Sequence, residues 1–358
     1  MSIADVAKLA GVSTSTVSRV INQDPRVSRQ TVGVVRAAME QLRYTPSDRR
    51  PGPKPGARAA AAAHSASVAL LVLGSSRDRA TPAFDELIRG VANGAAAWEL
   101  KLAYHHVFDL DALPAQVVNA QVDGLLLHGA LPPPATRERL ERFPCVWLMG
   151  NRRRPDWGDQ VMPDTYEIGD KAARYLLGRG HRRLAFLNLD RNHWPFRLSG
   201  RSFLAAAQDA NVDCDLITEP RAADENHWPD FAIEAAEQLV KRYLKSRPRP
   251  TGLYVADDMQ VAVLQPALQR AGVTIGPGHV EIISCNNERP YLAGLFPKPA
   301  EIDTRVETIG YRGIERLLWR IKNAGQSDRT VSAVEPVVID HDGQRVNPND
   351  LTSGDATI

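Results

Sequence analysis

Cysteine is scarce: Cys145, Cys214 and Cys285 are the only three in 358 residues, and they stand far apart. Such spacing suggests neither a disulfide framework nor a zinc site, and it fits a reducing cytosol. Long hydrophobic runs are also lacking. No stretch approaches the roughly 18 uncharged apolar residues that a membrane helix needs, and the N-terminal MSIADVAKLAGVS carries Asp5 and Lys8 where a signal peptide would be apolar. The expectation is a protein that is neither exported nor membrane-spanning and that acts in the cytoplasm. Signatures of catalysis are missing as well: there is no nucleophile elbow, no phosphate-cradling P-loop and no HExxH helix. His105, His106, His181, His193 and His227 show no metal-ligand spacing. Asp257 and Asp258 adjoin at a strand end, where successive side chains point to opposite sides, so they make a poor acid/base pair. The sequence therefore predicts neither an enzyme nor a bound cofactor.

What is present begins with charge. The whole chain carries a net charge of +2, yet residues 1–58 hold ten Lys and Arg against Asp5, Asp24, Glu40 and Asp48. A basic head of net charge +6 thus precedes a body of net charge −4. That is the distribution expected of a polyanion-binding head, because neutralisation of phosphates by Lys and Arg supplies most non-specific DNA affinity.

Hydrophobic periodicity divides the chain further. Residues 2–10 place Ile3, Val6, Ala7 and Ala10 at helical spacing behind Ser2, and Gly11 ends the run. Ser13 is suited to cap a second helix that turns Val17, Val20 and Ile21 inward and Thr14, Ser15, Ser18 and Arg19 outward. A third helix capped by Ser28 turns Val32, Val35, Ala38, Met39 and Leu42 inward. Three helices within 45 residues, the first two joined by a short turn containing glycine, form a helix-turn-helix pattern. TPSDRRPGPKPG follows, where Pro51, Pro53 and Pro55 oppose regular structure, and then the helix-prone ARAAAAA of residues 57–63. Beyond Ser67 apolar runs such as VALLVLG and GLYVAD alternate with helical segments in two series. The predicted fold class is therefore α/β, with parallel sheets in two lobes and a ligand cleft between them. The expected domains are 1–46 for the head, 47–66 for a linker, 67–345 for the two-lobed body and 346–358 for a disordered tail.

The first segment, IADVAKLAGVSTSTVSRVINQDPRVSRQTVGVVRAAMEQLRYTP, resembles the head of the lactose/galactose repressor family almost without gaps. VDGLLLHG, LLGRGHRRLAFLN, LYVADDMQVA and PKPAEIDTRVETIGYRGIERLL extend the resemblance through most of the body. The resemblance implies a three-helix DNA-binding domain joined to a body like a periplasmic sugar-binding protein. It also implies a homodimer on a pseudo-palindromic operator, a carbohydrate-like effector, and repression as the outcome. By position, Thr14, Ser15 and Arg19 would reach base edges, while Thr16, Ser18 and Asn22 would bind phosphates. Effector contacts would fall on Phe84, Asp164, Arg197, Trp228, Asp257 and Asn286. Arg201 is the reserve for Arg197, and an alignment through Phe203 places Ser199 there instead.

Two departures stand out against the family pattern. Asn286 and Asn287 replace a usual pair of aspartates, which removes charge from the cleft floor. Ala57 and Arg58 match an Ala-Arg hinge motif, but Ala60 replaces the leucine that wedges into the minor groove, and extra residues precede it. Arg49, Arg50, Lys54 and Arg58 would then either lie in a minor groove as a basic arm or belong to a flexible spacer. Two other functions remain open at this point: a cytosolic sugar-sensing module acting through protein contacts, and a sugar-modifying enzyme.

Overall fold

The computed structural model describes residues 3–21, 29–42, 66–74, 81–150, 154–219 and 228–351. The chain divides into two compact units, Met1–Ala62 and Ala63–Ile358. The linker basics Arg49, Arg50, Lys54 and Arg58 lie outside the described residues.

The first unit contains helices α1 (Ile3–Ala10), α2 (Thr14–Ile21) and α3 (Arg29–Gln41). Val6, Ala7, Val17, Val20, Val35 and Ala38 are its buried centre, with Ala10, Val32, Met39 and Leu42 packed around them. This follows the predicted apolar stripes. Gly11 makes the turn at φ +64°, a left-handed conformation that costs glycine little.

The second unit is built as two lobes. In the first, β1 (Ser67–Leu73), α4 (Pro82–Ala97), β2 (Lys101–Val107), α5 (Ala115–Val118), β3 (Gly124–Gly129), α6 (Pro134–Leu140), β4 (Cys145–Leu148) and β5 (Asp159–Pro163) follow in order. The second lobe takes over with α7 (Thr165–Gly178), β6 (Arg183–Asn188), α8 (Trp194–Asp209), β7 (Asp213–Thr218), α9 (Trp228–Tyr243) and β8 (Gly252–Val255). It continues with α10 (Asp258–Arg270), β9 (Glu281–Cys285), α11 (Arg289–Leu292) and β10 (Ala300–Asp303). The chain then returns to the first lobe for α12 (Val306–Lys322) and β11 (Val331–Val334), and finishes in the second with β12 (Val337–Ile339), β13 (Arg345–Val346) and α13 (Pro348–Leu351).

The first sheet, of order β11-β5-β4-β3-β1-β2, is parallel throughout. The second, of order β13-β12-β10-β9-β8-β6-β7, is parallel except at the β12 and β13 edge. Both sheets carry cores on two faces, as parallel sheets covered by helices require. Among the described residues the chain crosses between lobes three times, at 163–165, 303–306 and 334–337. All three crossings follow the carboxyl end of a strand, the edge of a sheet at which open α/β folds place ligands.

Several elements escaped the hydrophobic pattern. β5 is fully buried although it starts at Asp159, whose carboxylate is neutralised by Arg316 (2.6 Å) and Arg320 (2.5 Å) of α12. β7 is an edge strand with half-exposed faces, so it lacks an apolar run. The tail expectation needs correcting. β13 pairs with β12, and Leu351 of α13 covers Gly178, where an added Cβ would stand 2.5 Å from the Leu351 Cβ. Residues 345–346 and 348–351 thus belong to the body, because β13 adds to the sheet edge and α13 packs on α7.

Candidate functional site

In the first unit, the cap expected of Ser13 is present. Its Oγ accepts the backbone N–H of Thr16 at 3.2 Å and lies 2.9 Å from the Thr16 hydroxyl. This satisfies one of the unpaired donors at the start of α2. Val17 and Val20 bury one side of the helix, while Thr14 and Arg19 are exposed on the rest. Thr16 is half-buried. The side chains of Ser15 and Ser18, and all of Asn22, lie outside the described residues.

In the second unit, a cavity of about 250 Å³ lies between the lobes. The first lobe supplies His128, Met149 and Gly150, and the second supplies Phe196, Ser199, Asp257 and Asn286. Pro163, Thr165 and Thr304 come from the crossings. Among its described wall residues there is no Lys or Arg, whereas Asp190, Asp257 and Glu288 are carboxylic.

Asp257 ends the turn after β8 and caps α10, its Oδ1 accepting the Gln260 N–H at 2.7 Å. Burial pushes its carboxyl up to about 7; the Gln260 hydrogen bonds oppose this, and the charges of Glu288 and Asp190 add to it. Asp258 points away and accepts from the Ser284 hydroxyl (2.5 Å) and the Glu288 N–H (2.6 Å). Asn286 and Asn287 both have positive φ, 109° and 62°. Asparagine tolerates the left-handed region better than most residues, so the pair has a backbone reason as well as an effect on charge. Ser199 accepts from the Tyr254 hydroxyl at 3.0 Å. Thr304 is buried at 1% exposure, and its hydroxyl has no hydrogen-bond partner among the described residues.

Of the six expected effector residues, Asp257 and Asn286 lie in this wall. Phe84 stands behind it, its ring stacked on His128 at 5.6 Å. Asp164 is between two wall residues, but its Oδ1 caps α7, accepting from Tyr166 N–H (3.2 Å) and Glu167 N–H (3.1 Å). Arg197 and Arg201 are exposed and outside the wall, whereas Ser199 is inside it. Arg197 and Ser199 both lie within α8, which begins at Trp194. Residues 197 and 199 are then about 200° apart around the helix, so one faces the cavity and the other faces away. Trp228 opens α9, but its side chain lies outside the described residues. His128, Glu288 and Thr304 carried no signal that would single them out in the sequence.

Residues 2–47 match the family described as bacterial regulatory proteins, lacI family, and residues 173–341 match a periplasmic binding protein-like domain. The HTH-type transcriptional repressor PurR of Pectobacterium atrosepticum is 30% identical over 350 residues, covering 94% of this chain and 95% of that protein. The chain belongs to the lacI family. It is a DNA-binding transcriptional repressor with an effector-binding body, in a family whose members are regulators rather than enzymes. Two solved structures of lower identity share the fold. One is the transcriptional regulator CelR in complex with cellobiose, at a TM-score of 0.61, 21% identity and coverage of 96% of this chain and 99% of that one. The other is the lac repressor dimer bound to operator and the anti-inducer ONPF, at a TM-score of 0.59, 18% identity and coverage of 96% and 98%. No helix among the described residues of this lacI-family chain is long and apolar enough to cross a membrane.

Proposed function

We propose that this repressor acts in the cytoplasm as a homodimer on a pseudo-palindromic operator and that a small carbohydrate in the interlobe cavity sets its operator affinity. Thr14, Ser15 and Arg19 read bases, and Thr16, Ser18 and Asn22 contact phosphates, with α2 as the recognition helix. The exposure of Thr14 and Arg19 opposite the buried Val17 and Val20 supports this arrangement.

The observation that carries the ligand assignment is the wall itself. Asp257, Asn286, Ser199 and Thr304 offer closely set hydrogen-bonding groups beside the apolar surface of Phe196 and Met149. Carboxylates and amides bind hydroxyls, and apolar side chains cover the carbon face of a sugar ring. A cavity of about 250 Å³ lies below the roughly 300–1,000 Å³ of sites for drug-sized ligands, which favours a ligand of about one ring. The carboxylic floor disfavours phosphorylated or acidic sugars, since an anion there would lack a cationic partner. Cellobiose in the CelR complex is a carbohydrate held by the same fold.

Thermal unfolding against neutral sugars, sugar phosphates, sugar acids and nucleobases tests the assignment. A ligand at ~100 times its dissociation constant adds about 2.7 kcal/mol to the folded state. The expected result is a shift by a neutral sugar that also changes operator binding. A shift produced only by phosphorylated sugars or nucleobases would reject the carbohydrate reading.

A further inference from the structure

Helix α4 starts without a cap of its own. Thr81 occupies the N-cap position in extended conformation, yet its side chain makes no capping hydrogen bond, and proline follows it. The backbone N–H of Ala83, in the first turn, instead donates to Glu288 Oε1 at 3.1 Å. Glu288 belongs to the other lobe. It follows β9 and immediately precedes α11. We infer that Glu288 is the positioning residue that ties the state of the effector cavity to closure of the lobes, because one carboxylate both lines the cavity and caps α4 from across the cleft.

The carboxylate is anchored at its base and engaged at both oxygens. Its own N–H is fixed to Asp258 Oδ2, and Oε2 accepts from the Asn286 amide at 3.4 Å, so a cavity-wall residue touches it directly. An acceptor carboxylate at a helix N-terminus gains from both the unpaired N–H groups and the helix dipole. Opening the cleft removes that acceptor, and Thr81 does not replace it.

The other side of the same helix is held rigidly. Gly90 and Gly310 bring α4 against α12: a Cβ at Gly90 would stand 2.0 Å from the Glu307 carbonyl oxygen, and one at Gly310 would stand 2.5 Å from that of Leu87. A pull on the start of α4 is therefore carried to α12, which begins directly after the crossing at Thr304. A further contact between the lobes is the Arg154 guanidinium of the first, 5.8 Å from the Trp194 ring of the second. Glu288 differs from that pair because it alone of the three residues also lines the cavity.

The regulatory meaning of this contact rests on the cavity being the effector site, but the contact is tested without a ligand. Hydrogen–deuterium exchange and small-angle X-ray scattering are measured on the full-length protein, its Glu288→Ala and Glu288→Gln variants, and Glu288→Ala combined with Thr81→Asp. In Glu288→Ala, amides at the start of α4 should exchange about 2- to 30-fold faster, the range expected for loss of a helix cap, and the radius of gyration should rise. Glu288→Gln keeps an acceptor oxygen and should fall between the two. Thr81→Asp supplies a local cap, so it should restore amide protection while the lobes stay apart. Unchanged exchange and radius in Glu288→Ala would overturn the inference. So would lost protection at constant radius, or recovery of the compact radius by Thr81→Asp, since either would make Glu288 a stabiliser of α4 alone. None of these readouts uses a sugar, so a cavity that bound no carbohydrate would leave the result standing.

Discussion

Asp257 and Gln260 close the first turn of α10 through a hydrogen bond of 2.7 Å from backbone N–H to carboxylate, and the same Asp257 carboxyl lines the interlobe cavity. One buried acid thus serves both as a helix cap and as part of the cavity wall.

The first prediction follows from its ionisation. Burial pushes the Asp257 carboxyl from an ordinary 3.8 to about 7. A raised folded-state value means that the native protein holds a proton the unfolded chain releases. Its favourable linkage is therefore complete below about pH 4 and is lost as pH rises towards 7. Asp257→Asn keeps an N-cap residue without that charge. Urea unfolding should show the variant more stable than the parent at pH 8, by on the order of 1–4 kcal/mol, with the gap closing near pH 4. A variant less stable at pH 8 would contradict the burial argument.

Glu281 has the opposite sign. Burial opposes its ionisation, but His181 and the two-pronged Arg179 contact (2.9 and 3.1 Å) outweigh it and hold the carboxyl down at about 2. Its contribution is present above about pH 4.5 and is lost as pH falls towards 2. Glu281→Gln should therefore be less stable than the parent at pH 6, and the two unfolding curves should converge below pH 3.

Substituting Arg19 by Ala should lower affinity for a selected operator about 5- to 150-fold, the range for one lost bidentate base contact. Non-specific DNA affinity should change far less. Binding titrations on operator and scrambled duplexes separate these effects, and equal losses on both would reassign Arg19 to phosphate contact.

The linker offers a separate electrostatic test. If Arg49, Arg50 and Lys54 neutralise phosphates, the triple alanine variant should flatten the slope of log K against log salt by about 0.9 per contact. An unchanged slope would identify the segment as a spacer.

Much of the head was legible because its determinants are local. A 3.6-residue period, Gly11 at the turn and Ser13 as a cap lie within a few residues of what they control. Strands such as β1, β3 and β8 were visible for a similar reason, since strands buried on both faces read as apolar runs. β5 was not, because the charge of Asp159 is tolerated only through arginines 157 and 161 residues away in sequence.

The site divides in the same manner. The family resemblance points to Asp257 and Asn286, and they stand in the wall; it also points to Arg197, but on α8 Ser199 faces the cavity and the arginine is exposed. Local periodicity and charge distribution, by themselves, determined a basic three-helix head and a two-lobed α/β body, and the resemblance of the quoted segments pointed to the family. Only tertiary structure decided that Glu288 meets Ala83 across 205 positions and that Thr304 enters a cavity with His128. Among the described residues the chain crosses between the lobes three times, and no pattern within one helix or strand encodes which side chains those crossings bring face to face.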